Sequence, residues 1–330
     1  MLTMFDANVC GYSLEPPTEP NMYSLLNLNK KIIDIRGDVR NYRLLDKTIN
    51  EFKPDIVFHL AAQPIVLASY DDPLETFETN IMGTANLLSI IRNMKSVKAV
   101  LVMTSDKVYK INEWVYPYRE IDQLGGKDPY SASKSCQDIV VNSFRESYFN
   151  NIGISVSSIR AGNVIGGGDW GMHRIVPDIV KAISKNKVIK IRNPGSVRPW
   201  QYILEPVYGM LKLAEKMFYD IKFSGDWNFG PNNQRVITVK ELVEKFIKYW
   251  NGGNYIEIKD DNNIGKESNY LQLDISKAKN ELNWFPKYNF EVTIKKTVEW
   301  YKEYYRDKSK IDSFTEMQIK EYMEVQALDE

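Results

Sequence analysis

Two short stretches carry residue types that can move protons. Tyr130 and Lys134 stand four apart in Tyr130-Ser131-Ala132-Ser133-Lys134. If that stretch opens a helix, the two side chains share one face. The Lys134 ammonium then lies near the Tyr130 phenol, and a positive neighbour favours phenolate and lowers the tyrosine pKa toward neutrality. Such a phenol is a general acid/base for an alcohol or ketone oxygen. Upstream, Met103-Thr104-Ser105-Asp106-Lys107-Val108-Tyr109 sets a hydroxyl, a carboxyl and an amine at the end of an apolar run. Alone, Tyr-x-x-x-Lys also describes an ordinary exposed helical pair. The Thr-Ser-Asp-Lys strand end, and an earlier apolar strand closing on His59-Leu60-Ala61-Ala62-Gln63-Pro64, favour the chemical reading.

The elements that must position these groups read as strands alternating with helices. Residues 8–14 predict a strand, stopped by Glu15-Pro16-Pro17-Thr18-Glu19-Pro20. A short strand at 31–34 follows, then a helix capped by Asn41 and running to Phe52, then a buried strand at 55–60. Residues 74–94 carry helical apolar spacing at Phe77, Ile81, Ala85, Leu88 and Ile91. Strand 98–104, helix 130–149 and strand 154–160 complete the series. This alternation predicts an α/β, Rossmann-type doubly wound parallel sheet, with ligands beyond the strand C-termini. Ala61-Ala62, Thr104-Ser105 and Gly162-Asn163 would all lie there.

After Arg160 the pattern changes to a smaller α+β lobe. Gly166-Gly167-Gly168-Asp169-Trp170 reads as a loop, 174–185 as a helix and 192–200 as a loop. Helices are expected at 206–219, 238–250, 276–283 and 290–305, and strands at 226–229 and 255–258. The expected division is a dinucleotide-binding domain at 1–160, to which segments near 200–215 return, a lobe at 161–310 and a charged tail at 311–330.

Composition excludes several classes. Lys+Arg and Asp+Glu both total 43, so no basic excess points to nucleic acid or an anionic membrane surface. Two cysteines, Cys10 and Cys136, argue against a disulfide scaffold, and two histidines, His59 and His173, against a histidine metal centre. No apolar run approaches the ~20 residues needed to span a bilayer. Residues 1–6 do not read as a signal peptide, so a soluble cytoplasmic protein is expected. A dinucleotide-binding sheet normally begins with a strand, a glycine-rich turn and a helix. No such turn precedes Asn8, and Gly166-Gly167-Gly168 has no βαβ unit in register to replace it. The expected sheet therefore lacks its first strand and turn.

Several longer strings carry a family resemblance. They are Pro16-Pro17-Thr18-Glu19-Pro20-Asn21, Phe58-His59-Leu60-Ala61-Ala62-Gln63-Pro64 and Thr104-Ser105-Asp106-Lys107. Further on come Arg160 to Trp170, Ile191-Arg192-Asn193-Pro194, Arg198-Pro199-Trp200-Gln201 and Trp227-Asn228-Phe229-Gly230-Pro231-Asn232. From about Asn8 to about Tyr301 the chain resembles the extended short-chain dehydrogenase/reductase superfamily and, within it, the CDP-glucose 4,6-dehydratase family. Asp106-Lys107 is the telling pair, because dTDP-glucose dehydratases of the superfamily carry Asp-Glu there.

The resemblance implies NAD as cofactor, CDP-glucose as substrate and a redox-neutral lyase reaction of deoxysugar biosynthesis. Hydride leaves C4 of the glucose for NAD while Tyr130 takes the 4-hydroxyl proton. The resulting ketone acidifies the C5 hydrogen, water leaves across C5 and C6, and hydride returns to C6. Lys134 accompanies Tyr130, Ser105 hydrogen-bonds the 4-oxygen, Asp106 protonates the departing 6-hydroxyl and Lys107 removes the C5 proton. A base must be neutral, so a partly desolvated Lys107 is expected to have a lowered pKa. Asp38 and Val39 correspond to an adenine-contacting pair, Leu60, Ala61 and Ala62 to the cofactor cleft, with Asn80 and Thr104 as further cofactor candidates. Asn163, Arg174 and Arg198 are the implied diphosphate ligands, the guanidinium fork suiting phosphate oxygens. Trp170 and Trp200 fit either cytosine or sugar stacking or plain lobe packing. A homodimer seamed by helices 74–94 and 130–149 is also implied. Two positions depart from the family pattern: Tyr202 stands for an expected histidine, and Lys266-Glu267-Ser268-Asn269 keeps only the glutamate of His-Glu-Ala. Two other readings stay open: an epimerase or dehydratase of a different nucleotide sugar, and a chain that binds nucleotide sugar without turnover.

Overall fold

The computed structural model describes residues 1–112, 114–232, 237–258 and 271–325. Ten strands occur among them: β1 (Cys10–Ser13), β2 (Ile33–Arg36), β3 (Ile56–His59), β4 (Ala99–Met103), β5 (Ser155–Ala161), β6 (Val164–Ile165), β7 (Ile189–Ile191), β8 (Gln201–Tyr202), β9 (Gly225–Phe229) and β10 (Tyr255–Glu257). The central sheet is parallel, in the order β3-β4-β5-β9. Its register sets Val102 opposite both His59 and Ser158, and Ile159 opposite Trp227. β1 and β2 form a separate parallel pair, Cys10 facing Ile33. Among the described residues no strand joins that pair to the larger sheet. The doubly wound reading of the sequence holds.

β4 shows why the sheet is buried on both sides. Its apolar run Ala99-Val100-Leu101-Val102 alternates between two cores. Val100 and Val102 pack with Leu45, Ile49, Leu88 and Ile91. Ala99 and Leu101 pack with Met210, Leu213, Met217 and Trp227. The second core is closed by helix Leu204–Tyr219. β5 is the polar exception, Ser-Val-Ser-Ser-Ile-Arg-Ala, yet Ser155 to Arg160 are buried. Its polar atoms are spent internally. Ser158 Oγ lies 2.9 Å from both Asp138 Oδ1 and Asp226 Oδ1. The Arg160 guanidinium donates to both Asp138 oxygens at 2.8 Å and to Asp226 Oδ2 at 3.0 Å. A buried charge is tolerable only when paired in this way.

Helix starts follow their caps. Asn41 accepts from the Leu44 amide at 3.2 Å to open Tyr42–Phe52. Asp128 accepts from the Ser131 amide at 2.9 Å to open Pro129–Phe144. The expected 74–94 helix is composite: Pro73–Phe77, a π turn at Glu78–Met82, then Gly83–Ile91. A helix at Val66–Asp71, unanticipated in the sequence, precedes it.

In the lobe, β7 pairs with β10 beside helices Ile175–Ile183, Val239–Trp250 and Phe290–Arg306. Within the expected charged tail, Ile311–Glu324 is a helix packed on Phe290–Arg306. Ile319 and Tyr322 are buried there with Tyr202, Leu204 and Tyr288. Among the described residues no helix is long and apolar enough to cross a membrane.

Candidate active site

The C-terminal end of β4 delivers Thr104, Ser105 and Asp106. Thr104 is buried, and its hydroxyl donates to the Ile159 carbonyl at 3.0 Å. Ser105 Oγ lies 3.1 Å from Asp106 Oδ1 and accepts from the Lys107 amide at 3.2 Å, so it caps the short turn Asp106–Val108. Lys107, in that turn, is half-buried. Asp106 is buried against Gly162, where an added Cβ would sit 1.9 Å from its Oδ2. Glycine at 162 is thus what lets the end of β5 approach this carboxyl.

Helix Pro129–Phe144 brings Tyr130 to the same place. Its amide donates to Ser69 Oγ at 3.1 Å, so Val66–Asp71 steadies the first turn. Burial pushes the Tyr130 phenol up to about 12; the facing Ser105 hydroxyl pulls the other way, the Asp106 charge raises it and Arg174 lowers it. This corrects the sequence reading on two points. The direction is upward, and the cation acting on the phenol is Arg174. Lys134 does share the buried face, but its Nζ donates to Gln137 Oε1 at 2.9 Å and to the Met103 carbonyl at 3.1 Å. Burial lowers Lys134 to about 7, against the raising pull of Asp138.

The cofactor candidates divide. Leu60 is 55% exposed at the end of β3, directly after buried His59, and Ala61 and Ala62 continue that ledge half-buried. The Asp38 carboxylate is hydrogen-bonded by Arg40, which holds it below its usual range against the effect of burial. Val39 is buried against Gly83, whose Cβ would meet Val39 Cγ2 at 2.6 Å. Asn80 is spent on protein partners: Oδ1 accepts from the Gln63 amide at 2.8 Å, and Nδ2 donates to Ser133 Oγ at 2.8 Å.

The diphosphate candidates come from separate loops. Asn163 follows Gly162 with φ +37°. Arg174 pairs with Asp169 at 3.1 Å. Arg198 is buried, its Nη1 donating to the Val197 carbonyl at 2.8 Å. Trp170 and Trp200 take the packing alternative, both buried in the lobe core, Trp170 against Trp300, Tyr301 and Tyr304. Tyr202 is core as well: its hydroxyl lies 3.1 Å from Gln318 Oε1 and its ring packs on Tyr288. The 266–269 stretch lies outside the described residues. Sequence reasoning missed Gln137, Thr84 and the Arg160–Asp138–Asp226 cluster. The visible signal for Gln137 was its place one turn beyond Lys134 and two beyond Tyr130.

Together these elements gather a phenol, a serine hydroxyl, a carboxyl and an arginine charge beyond the C-terminal ends of parallel strands. Such a set can exchange protons with a sugar hydroxyl or ketone. Comparison with known proteins agrees in kind. Residues 19–297 match the family described as GDP-mannose 4,6 dehydratase. The chain is 42% identical over 328 residues to the CDP-glucose 4,6-dehydratase of Salmonella typhimurium, covering 98% of this chain and 91% of that one. It is 26% identical over 297 residues to a dTDP-glucose 4,6-dehydratase of Xanthomonas campestris, covering 85% and 82%. Among solved structures, UDP-glucose 4-epimerase of Thermotoga maritima with UDP-glucose superposes with a TM-score of 0.79 at 23% identity, covering 92% of this chain and 93% of that one. The dTDP-glucose 4,6-dehydratase of Bacillus anthracis in complex with NAD gives 0.75 at 22%, covering 92% and 91%. On this sequence match and this fold, the chain belongs to the GDP-mannose 4,6 dehydratase family, within the extended short-chain dehydrogenase/reductases.

Proposed function

We propose that the chain is a CDP-glucose 4,6-dehydratase, an NAD-dependent hydro-lyase converting CDP-D-glucose to CDP-4-dehydro-6-deoxy-D-glucose and water. One observation carries the reading: 42% identity to the Salmonella enzyme across 98% of the chain. The grouping of Ser105, Asp106 and Tyr130 supports it.

The residues that would hold the nicotinamide end of NAD suit it chemically. Exposed Leu60 and the small, half-buried Ala61 and Ala62 offer a ledge beyond β3, and Lys134 supplies a buried amine one helical turn from Tyr130. NAD, when bound, supplies a reversible hydride acceptor and a positive ring. The chain's own groups handle the protons. Tyr130 takes the 4-hydroxyl proton and later returns one; Arg174 favours the phenolate that this needs, and burial opposes it. Ser105 hydrogen-bonds the 4-oxygen. Lys107 removes the C5 proton made acidic by the ketone, and Asp106 protonates the departing 6-hydroxyl. Asn163, Arg174 and Arg198 hold the diphosphate. A homodimer goes with this reading, its seam made by the outer faces of Pro73–Ile91 and Pro129–Phe144, where Leu74, Met82 and Ile139 are 71%, 53% and 54% exposed.

The test is incubation of the purified chain with CDP-glucose, reading the absorbance of the 4-keto sugar in alkali. UDP-, dTDP- and GDP-sugars run alongside. The expected result is turnover of CDP-glucose in preference to the others. An epimerised product, or turnover of another nucleotide sugar with CDP-glucose untouched, would overturn the assignment.

A further inference from the structure

A buried line of hydrogen bonds leads inward from Lys134. Its Nζ donates to Gln137 Oε1 at 2.9 Å. Gln137 Nε2 donates to Thr84 Oγ1 at 2.8 Å. Thr84 Oγ1 donates to the Asn80 carbonyl at 2.8 Å, and His59 Nε2 lies 2.9 Å from Thr84 Oγ1. Lys134, Gln137, Thr84 and His59 are all buried, on three different elements.

With Lys134 as the ammonium, the polarity of the links follows. An ammonium has only protons to give, so the glutamine atom facing it is the carbonyl oxygen. The NH2 end of Gln137 therefore faces Thr84. Thr84 has one proton, and a carbonyl can only accept, so that proton goes to Asn80. The remaining lone pairs on Thr84 Oγ1 receive Gln137 and His59. His59 thus carries its proton on Nε2. Burial, and next the Lys134 charge, lower His59 to about 3, so it is neutral in the fold.

We propose that Gln137 is the positioning residue of the Tyr130–Lys134 site: Thr84 and His59 lock its amide, and the locked carbonyl fixes where the Lys134 amine sits. The inference rests on the reading of Lys134 as part of the reacting site. Gln137 lies three residues beyond Lys134 and seven beyond Tyr130, so all three form one stripe of the helix. An amide suits this place better than a carboxylate. It accepts a hydrogen bond from lysine in either charge state, whereas a carboxylate would pin lysine as the ammonium. The charges coupled to Lys134 are Asp138 on its own helix and His59 from β3, and the Tyr130 phenol stands one turn back on the same stripe. β4 faces it with the Met103 carbonyl.

The test uses the NAD-loaded enzyme with CDP-glucose. Gln137→Leu and Thr84→Val should each lower kcat by roughly tenfold or more, with KM held within about twofold. Thr84→Ser, which keeps the hydroxyl, should restore kcat. Gln137→Glu should move the pH–rate limb belonging to Lys134 upward by about one unit or more. Should Gln137→Leu fail to fold, the contrast of Thr84→Val with Thr84→Ser decides the same question. A purely structural role predicts lowered melting temperatures with kcat and the pH limb unmoved, and that result overturns the proposal. Lys134→Met separates the two levels. If that variant turns over normally, the underlying reading fails; if it is dead while Gln137→Leu and Gln137→Glu match wild type, only the positioning role fails.

Discussion

The carboxyl of Asp106 rests directly on the α-carbon of Gly162. A methyl at 162 would fall 1.9 Å from Oδ2 and 2.4 Å from Cγ, far inside any real contact. Gly162→Ala must therefore move Asp106, which Ser105 and the short turn hold from the other side. If Asp106 protonates the departing 6-hydroxyl, the variant keeps hydride transfer and loses elimination by about 100-fold, the order expected for an ångström-scale misplacement. Stopped-flow absorbance of reduced nicotinamide, set against 4-keto product, reads both halves. Product formation within about threefold of wild type would remove Asp106 from that role.

Two substitutions divide the reaction at its middle. Tyr130→Phe deletes the only phenolic proton acceptor in the proposed scheme, so neither reduced nicotinamide nor product should accumulate, with the circular dichroism spectrum intact. Lys107→Met leaves Tyr130 in place, so reduced nicotinamide should build up while product does not. Normal dehydration by the lysine variant would mean that another base takes the C5 proton.

Lys134 links the site to stability. Its pKa falls from the ordinary 10.5 to about 7 on folding, because burial disfavours the charged form. Between those values the unfolded chain binds more protons than the folded one. Stability therefore rises with pH across that window, and below about pH 7 the fold carries the full penalty of a buried ammonium. Lys134→Met has no such group. The stability of wild type relative to Lys134→Met should increase steadily from pH 7 to pH 10 in urea titrations. Parallel pH profiles for the two proteins would show that Lys134 does not titrate in this range.

How far this was legible in the sequence depends on how local the cause is. Asn41 caps its helix from within four residues, so that start could be read, whereas the Asp128 cap of the next site helix was not singled out. The strand end at Thr104 to Lys107 was visible because an apolar run stops there. β6 and β8 were not, since two-residue strands have no period to detect. The direction of the Tyr130 shift was misread because spacing shows which side chains share a face and not which partner wins. Lys134 has a nearer acceptor in Gln137, and the phenol's cation, Arg174, comes from a distant loop. Tyr202 and the 311–324 helix explain each other: the tyrosine that stands where a histidine was expected packs with Tyr322 across 120 residues of chain.

One tie of that C-terminal helix runs from Tyr322 to a buried carboxylate. Glu205 accepts from the Lys287 amide at 2.9 Å, from the Tyr288 amide at 2.8 Å and from the Tyr322 hydroxyl at 2.7 Å. Burial raises the Glu205 pKa, and these three donors oppose the rise, the Tyr322 bond most. Tyr322→Phe keeps the ring packing and deletes that donor alone. The expected cost is about 1.5–3 kcal/mol, the range for a hydrogen bond to a charged group. It should appear in urea unfolding, with kcat for CDP-glucose unchanged because Tyr322 touches none of the reacting residues. Losing its strongest donor should also raise the Glu205 pKa further. The extra destabilisation should then be larger at pH 8 than at pH 5, since protonated Glu205 needs the donor less. A variant within about 0.5 kcal/mol of wild type at both pH values would mean that the Tyr322–Glu205 bond does not hold the helix.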